Sequence, residues 1–448
     1  MVGARYYNRL LFIGFSVAVF AAPVSAMTPS PRISKDKPVA TSGGNGSMVA
    51  DGSFSNRDAW MVSNTTWIAL DIGTGPSRIF FVWNNPAYTW SDVIADPGRS
   101  ECLQTLSYPV DYTISVSSNS TDGSDGDWIT KTSVTGNTVS VRGHLIDFTG
   151  ARWVRMNIAS GGGKLDEIEV FDATNGMEDA WFFAGTSISA NAYKSSTIDD
   201  NFPTLVNRKH ASFHPAMIRG GIPCITSSDF ARDISLYLEA AGNCRYWAIE
   251  MGTNDAWGGT DANAEVFKSN LQKVVDSCRA HGIEPVIARV LATSSNWQPH
   301  QKFLDAVDAL TEDNDLIAGP DFYHAALDDP AMLGGDGVHP SDHGAEVMYK
   351  LWAEKMDYLY TTVSADNVSR RSTGDVRQAV SFSGRTLVNS GSEPVNFTVY
   401  TIAGQVLSRG RIAASGTADL SLPGSALLFC EVMAANGTTY RFKTGFHH

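Results

Sequence analysis

The chain has 448 residues, of which 43% are apolar and 18% charged, the balance of a globular protein with a sizeable core rather than a disordered one. Its formal net charge of −13 argues against a nucleic-acid partner or an anionic membrane surface, which call for a basic face. Five cysteines, with no CxxC pair and no Cys/His cluster, exclude a disulfide scaffold and a zinc-finger-type site.

In chain order, residues 1–26 read as an export signal. Arg5 and Arg9 give a positive start, "LLFIGFSVAVFAA" at 10–22 is apolar but short for a bilayer span, and "VSA" at 24–26 offers small residues for cleavage. The mature chain is expected to begin near Met27 and to be secreted, periplasmic or at the cell surface, with no later membrane span. Residues 27–45 read as a loose start. From 46 to 175 short alternating runs dominate, among them "TWIALDIG" (66–73), "SRIFFVW" (77–83), "VDYTISVSS" (110–118) and "ARWVRMNI" (151–158). Gly, Asn, Asp and Ser separate them, the pattern of an antiparallel β-sandwich or barrel.

Between 178 and 362 apolar strands alternate with helical periods. The strands are "AWFFAG" (180–185), "YWAIEMG" (246–252) and "EPVIARV" (284–290). The helices are 228–242, 264–282 and 343–360. This predicts an α/β domain with a parallel sheet and a site at the carboxyl ends of its strands. Cys244 precedes one strand and Cys278 lies late in the next helix, so a bridge between them and two buried free thiols are both open readings. Residues 364–378 are a polar linker, and 379–448 return to short strands as a small C-terminal β-sandwich.

Three polar stretches follow strands of the α/β domain. Ser187 lies in "AGTSISA", Asn254 in "MGTNDAW", and Asp336 and His339 in "GGDGVHPSDHG". Alone, Ser187 reads as a helix cap and Asn254 as an Asx turn. Together they supply the parts of nucleophilic catalysis. A serine hydroxyl is a poor nucleophile without an adjacent base. His339 is the residue type for that role near neutral pH, and Asp336 can fix its tautomer. Asn254 can donate its side-chain amide to a developing oxyanion.

"GTSI", "GTND" and "DGVHP" resemble the GDSI, GxND and DxxH blocks of the SGNH (GDSL-like) hydrolases over about 178–362. Thr186 stands where that family has Asp. The resemblance implies a flavodoxin-like α/β fold and catalytic Ser187, Asp336 and His339. It also implies an oxyanion hole of Asn254, the N–H of Ser187 and one N–H from 221–224, with Gly221 and Cys224 as the candidates. Residues 35–175, with "VADGSFSNRDAWMV" and "LDEIEVFDA", resemble a discoidin-like, galactose-binding jelly roll. That resemblance implies glycan platforms among Trp60, Trp83, Tyr88 and Trp90, and a structural calcium at Asp51 and Glu167. The C-terminal unit is similar to the sorting domains of secreted bacterial enzymes, which implies contact with secretion machinery. The expected function is a secreted serine esterase that removes acyl groups, acetyl first, from a polysaccharide such as acetylated xylan, with no required cofactor. A lipid or aryl esterase of the same fold and a non-catalytic glycan-binding protein are the alternatives.

Overall fold

The computed structural model describes residues 27–52, 59–85, 108–194, 200–257, 261–294, 299 and 301–360, and toward the C-terminus 380–383, 386–389, 394–401, 406–419, 427–433 and 439–445. The expected export signal at 1–26 lies outside these. Two compact units divide the chain, 1–361 and 362–448.

Among the described residues the first unit opens with ten strands. They are β1 (Val39–Thr41), β2 (Trp60–Val62), β3 (Thr66–Asp71), β4 (Arg78–Asn84), β5 (Pro109–Ser117), β6 (Ile129–Val134), β7 (Val141–Asp147), β8 (Trp153–Gly161), β9 (Gly163–Leu165) and β10 (Glu167–Asp172). They form antiparallel sheets in the orders β1-β3-β8-β5-β6 and β10-β4-β7, with β2 paired to β9. In β8 the alternation is plain: Val154, Met156 and Ile158 point into the sandwich core while Arg155 and Asn157 are only half-buried. Strand β4 breaks the alternation because both of its faces are covered. Ile79, Phe81 and Trp83 enter the sandwich core, and Phe80 and Val82 enter the core of the α/β part.

The α/β part begins with β11 (Ala180–Gly185), α1 (Ser187–Lys194), α2 (Phe202–Lys209), β12 (Ala216–Gly221), α3 (Ser227–Arg232), α4 (Ile234–Ala241) and β13 (Tyr246–Glu250). It continues with α5 (Ala264–Ala280), β14 (Glu284–Arg289), α6 (Gln301–Asp313), β15 (Ala318–Asp321), α7 (Phe322–Asp328) and α8 (Asp342–Met356). The sheet is wholly parallel in the order β12-β11-β13-β14-β15. That is the expected flavodoxin-like order, with the first strand between the second and third. Successive residues of β11 feed opposite cores, Phe182 and Ala184 one side, Trp181 and Phe183 the other, so the strand reads as a continuous apolar run.

The pattern switch near residue 178 does not separate two independent cores. Phe80, Val82, Val141 and Phe171 of the sandwich share one cluster with Phe182, Ile218 and Tyr237 of the α/β part. Arg142 Nη1 meets Glu239 Oε1 at 2.6 Å, and Asn243 Nδ2 donates to the Gly143 carbonyl at 3.1 Å. The helix expected over 228–242 breaks at Asp233 into α3 and α4. Cys244 and Cys278 are not bridged. Both are free thiols in the apolar cluster, where burial pushes the thiols up, that of Cys278 to about 12, so they serve as apolar filling.

The second unit contains β16 (Val380–Ser383), β17 (Thr386–Asn389), β18 (Val395–Thr401), β19 (Val406–Ile412), β20 (Thr417–Asp419), β21 (Leu427–Met433) and β22 (Thr439–Gly445). Its antiparallel sheets run β16-β17-β20 and β19-β18-β21-β22. Among the described residues no helix is long and apolar enough to cross a membrane.

Candidate active site

The fold carries three loops to one end of the parallel sheet. Ser187 opens α1 directly after β11, Asn254 follows β13, and the loop after a 3-10 turn at Pro330–Met332 carries Asp336 and His339. Strands β11 and β13 are neighbours although β12 lies between them in sequence, so the chain reverses its winding here. Such switch points leave a crevice at the carboxyl ends of the strands.

Ser187 Oγ lies 2.9 Å from His339 Nε2, and His339 Nδ1 lies 2.6 Å from Asp336 Oδ2. Burial alone would raise the Asp336 carboxyl. The hydrogen bond from His339 and the N–H groups of Val338 and His339 outweigh it and hold the pKa at about 2. A carboxylate only accepts, so Nδ1 carries the ring proton and Nε2 is left to accept from the serine hydroxyl. The loop is fixed from both ends: Gly334 N–H donates to the His339 carbonyl at 2.7 Å, and Ser294 N–H to the Gly337 carbonyl at 2.9 Å. Gly337 has φ of 69°, a conformation that a glycine enters without strain.

Close approach of α1 to the sheet is permitted by glycine. A Cβ on Gly221 would lie 2.3 Å from the Ala190 nitrogen, and one on Gly185 would lie 2.2 Å from Ser189 Oγ. This explains Gly221 by packing as much as by any donated N–H. Ile222 cannot serve as an oxyanion donor, since its N–H already goes to the Gly185 carbonyl at 2.9 Å. Cys224 adopts φ of 62°, the left-handed conformation that favours glycine, and is disulfide-bonded; its sulfur partner lies outside the described side chains. Asn254 Nδ2 donates to the Ile225 carbonyl at 2.8 Å, which ties the amide to this same loop. Asp255 anchors the loop again: Ser227 Oγ donates to its carboxylate at 2.5 Å and Ser227 N–H at 3.0 Å.

The structure adds residues that sequence reasoning missed. Glu250, buried at the end of β13, receives the hydroxyls of Thr186 at 3.1 Å and Ser189 at 3.3 Å. An acid closing the otherwise apolar "YWAIE" was the available signal. Trp257, three residues past Asn254 in the same turn, is 56% exposed.

In the sandwich two expectations are corrected. Trp60 is 2% exposed with its Nε1 donating to the Gly43 carbonyl, and Trp83 is fully buried with its Nε1 on the Tyr112 hydroxyl. Neither ring can meet a sugar, because each fills the core. Tyr88 and Trp90 lie outside the described residues. Trp67 and Trp128 are half-exposed and flank the Arg155 guanidinium at 5.4 and 3.9 Å. Asp51 and Asp166 lie close enough to Glu167 for their charges to raise its carboxyl. The cation facing Glu167 is Arg32, which also reaches Glu169 at 3.3 Å. Among the described residues no three acidic, His or Cys side chains are grouped to hold a metal.

No family model matches the chain, and no curated protein matches it. Among solved structures, TesA is 18% identical over 40% of this chain and 99% of its own, with a TM-score of 0.34. A lipase/acylhydrolase from Enterococcus faecalis is 21% identical over 41% of this chain and 96% of its own, also at 0.34. A chitosan-binding module from a Paenibacillus sp. IK-5 chitosanase/glucanase, solved with chitotriose, is 22% identical over 31% of this chain and 98% of its own, at 0.23. Likenesses this loose decide nothing about chemistry, which rests on the geometry of the chain itself.

Proposed function

We propose that residues 178–362 hydrolyse carboxylic esters through Ser187, and that the ester is an acyl group, acetyl first, carried by a polysaccharide such as acetylated xylan. The observation that carries the reading is the continuous chain Ser187 Oγ, His339, Asp336, with contacts of 2.9 and 2.6 Å. His339 Nε2 takes the hydroxyl proton as Oγ attacks the carbonyl carbon. The oxyanion receives the N–H of Ser187, the Asn254 amide and an N–H from the 221–224 loop, each such donor worth about 3 kcal/mol at the transition state. Collapse expels the alcohol, which takes its proton from His339. Water activated by the same ring then releases the acid and frees Ser187.

Two observations support a sugar-linked ester. Trp257 offers an exposed ring beside Asn254, and apolar sugar faces pack on such rings. The sandwich with its Trp67 and Trp128 rings is built onto the same unit. Export by residues 1–26 and sorting by residues 379–448 belong to the same proposal. Acetate release from acetylated xylan, compared with p-nitrophenyl esters of rising chain length, tests it with Ser187→Ala as control. Preference for long chains would favour the lipid esterase, and no turnover of any ester would leave a glycan-binding protein.

A further inference from the structure

The residue before the nucleophile is threonine, and its hydroxyl does not point at the crevice. It donates to Glu250 Oε2 at 3.1 Å and accepts from the Ile188 N–H at 3.2 Å. Ser189, two residues past the nucleophile, donates its hydroxyl to the same carboxylate oxygen at 3.3 Å. Both Thr186 and Glu250 are buried. The backbone N–H groups of Thr186 and Ser189 also bear on the Glu250 carboxyl. One acid thus grips the chain on either side of Ser187.

Its place in the sheet matters as much as its bonds. Glu250 is the last residue of β13 and pairs in register with Gly185, the last residue of β11. Asn254 lies four residues further along the same chain. The carboxyl therefore spans the two strands that carry the nucleophile and the amide donor, at the point where both leave the sheet.

The N–H groups at the start of α1 complete the picture. That of Ile188 is taken by the Thr186 hydroxyl, and those of Thr186 and Ser189 face Glu250. Ala190 N–H goes to the Thr186 carbonyl at 3.1 Å. Among the described residues no protein acceptor meets the Ser187 N–H. A helix N-terminus offers an unengaged N–H to an incoming anion.

We infer that Glu250, acting through the hydroxyls of Thr186 and Ser189, is the positioning residue that fixes the nucleophile turn against Asn254 and reserves the Ser187 N–H for the oxyanion. This rests on the esterase reading and adds to it an acid on the floor of the site, outside the triad. Glu250 touches no reacting atom. Its removal should lower kcat and leave KM near its original value, because the ground-state acyl and sugar contacts stay in place.

The test uses the full chain and two readouts, the rate at which diethyl p-nitrophenyl phosphate labels Ser187, followed by intact mass, and kcat and KM on p-nitrophenyl acetate. Glu250→Leu is expected to lower labelling and kcat by about 100-fold, the cost of a small misplacement of reacting groups. Glu250→Gln keeps an acceptor oxygen for both hydroxyls and is expected to recover most of that loss. Should Glu250→Leu fail to fold, Thr186→Val, close to isosteric, decides through the same kcat decrease at an unchanged melting temperature. Folded Glu250→Leu or Thr186→Val protein with wild-type labelling and kcat would overturn the inference and leave the esterase standing. Wild-type protein that the phosphate does not label at Ser187 would overturn both.

Discussion

Asp336 stays charged down to about pH 2, and the site inherits its electrostatics from that fact. A neutral amide in its place could still meet Nδ1 but could present its N–H to the ring and favour the wrong tautomer. Asp336→Asn is therefore expected to lower kcat by about 1,000-fold or more with little change in melting temperature, and Ser187→Ala to remove measurable turnover. Steady-state kinetics alongside thermal unfolding separate the two effects. Arg32 offers a second check. Its guanidinium faces the buried carboxyls of Glu167 and Glu169. Removing one partner strands the others, so Arg32→Met should cost about 3 kcal/mol of stability. The triad was legible in the sequence because serine, amide, acid and imidazole each followed a strand or its loop. Glu250 was not, since an acid at a strand end reads as the solvent-exposed start of a loop until the turn and helix after a neighbouring strand supply hydroxyls to it.

At the scale of elements, periodicity was informative wherever one environment covered a whole element. The strands β11, β13 and β14 announced themselves as apolar runs because helices cover both faces of the sheet. Strand β4 looked like an ordinary sandwich strand with extra apolar residues. Its second face is explained only by the α/β part that follows a hundred residues later, a contact no local pattern encodes. The break between α3 and α4 was equally hidden. Arg232 pairs with both Asp229 and Asp233 at the break, at 2.9 and 2.8 Å, and nothing in the apolar spacing marks it. Trp60 and Trp83 misled for a related reason, because an aromatic in a short strand can face either way and the core took both. Phe80→Ala should cost about 3–5 kcal/mol, the range for emptying a buried phenylalanine site. Fragments 27–175 and 178–361 expressed separately should aggregate, each exposing half of the shared cluster. Two soluble, cooperatively melting fragments would show that the parts fold apart.

For the whole molecule, buried acids set a pH dependence. Burial pushes Glu250 and Asp179 up to about 7 and Glu169 to about 6. A carboxyl whose folded value exceeds its unfolded one binds its proton more tightly in the native state. Its stabilising contribution is full below the unfolded value and is lost as pH rises through the folded one. The window runs from about pH 4 to 7, so the melting temperature of the first unit should be several degrees higher at pH 5 than at pH 8. Asp179→Asn should flatten the slope, since its partners Trp181 Nε1 and the Tyr360 hydroxyl both donate, at 3.0 and 2.9 Å. A profile that rises toward pH 8 would contradict this.

The strand with two covered faces also bears on how a polymer would be processed. A module on a flexible leash raises local substrate concentration and lets the catalytic part sample many positions along a glycan. Here β4 belongs to both cores at once, so no leash exists between sandwich and crevice. On the proposed reading, a polysaccharide gripped by the sandwich would present to Ser187 only those acyl groups one fixed reach away. Deacylation would then advance in regular intervals along the backbone, leaving a patterned product where a tethered enzyme would leave a random one.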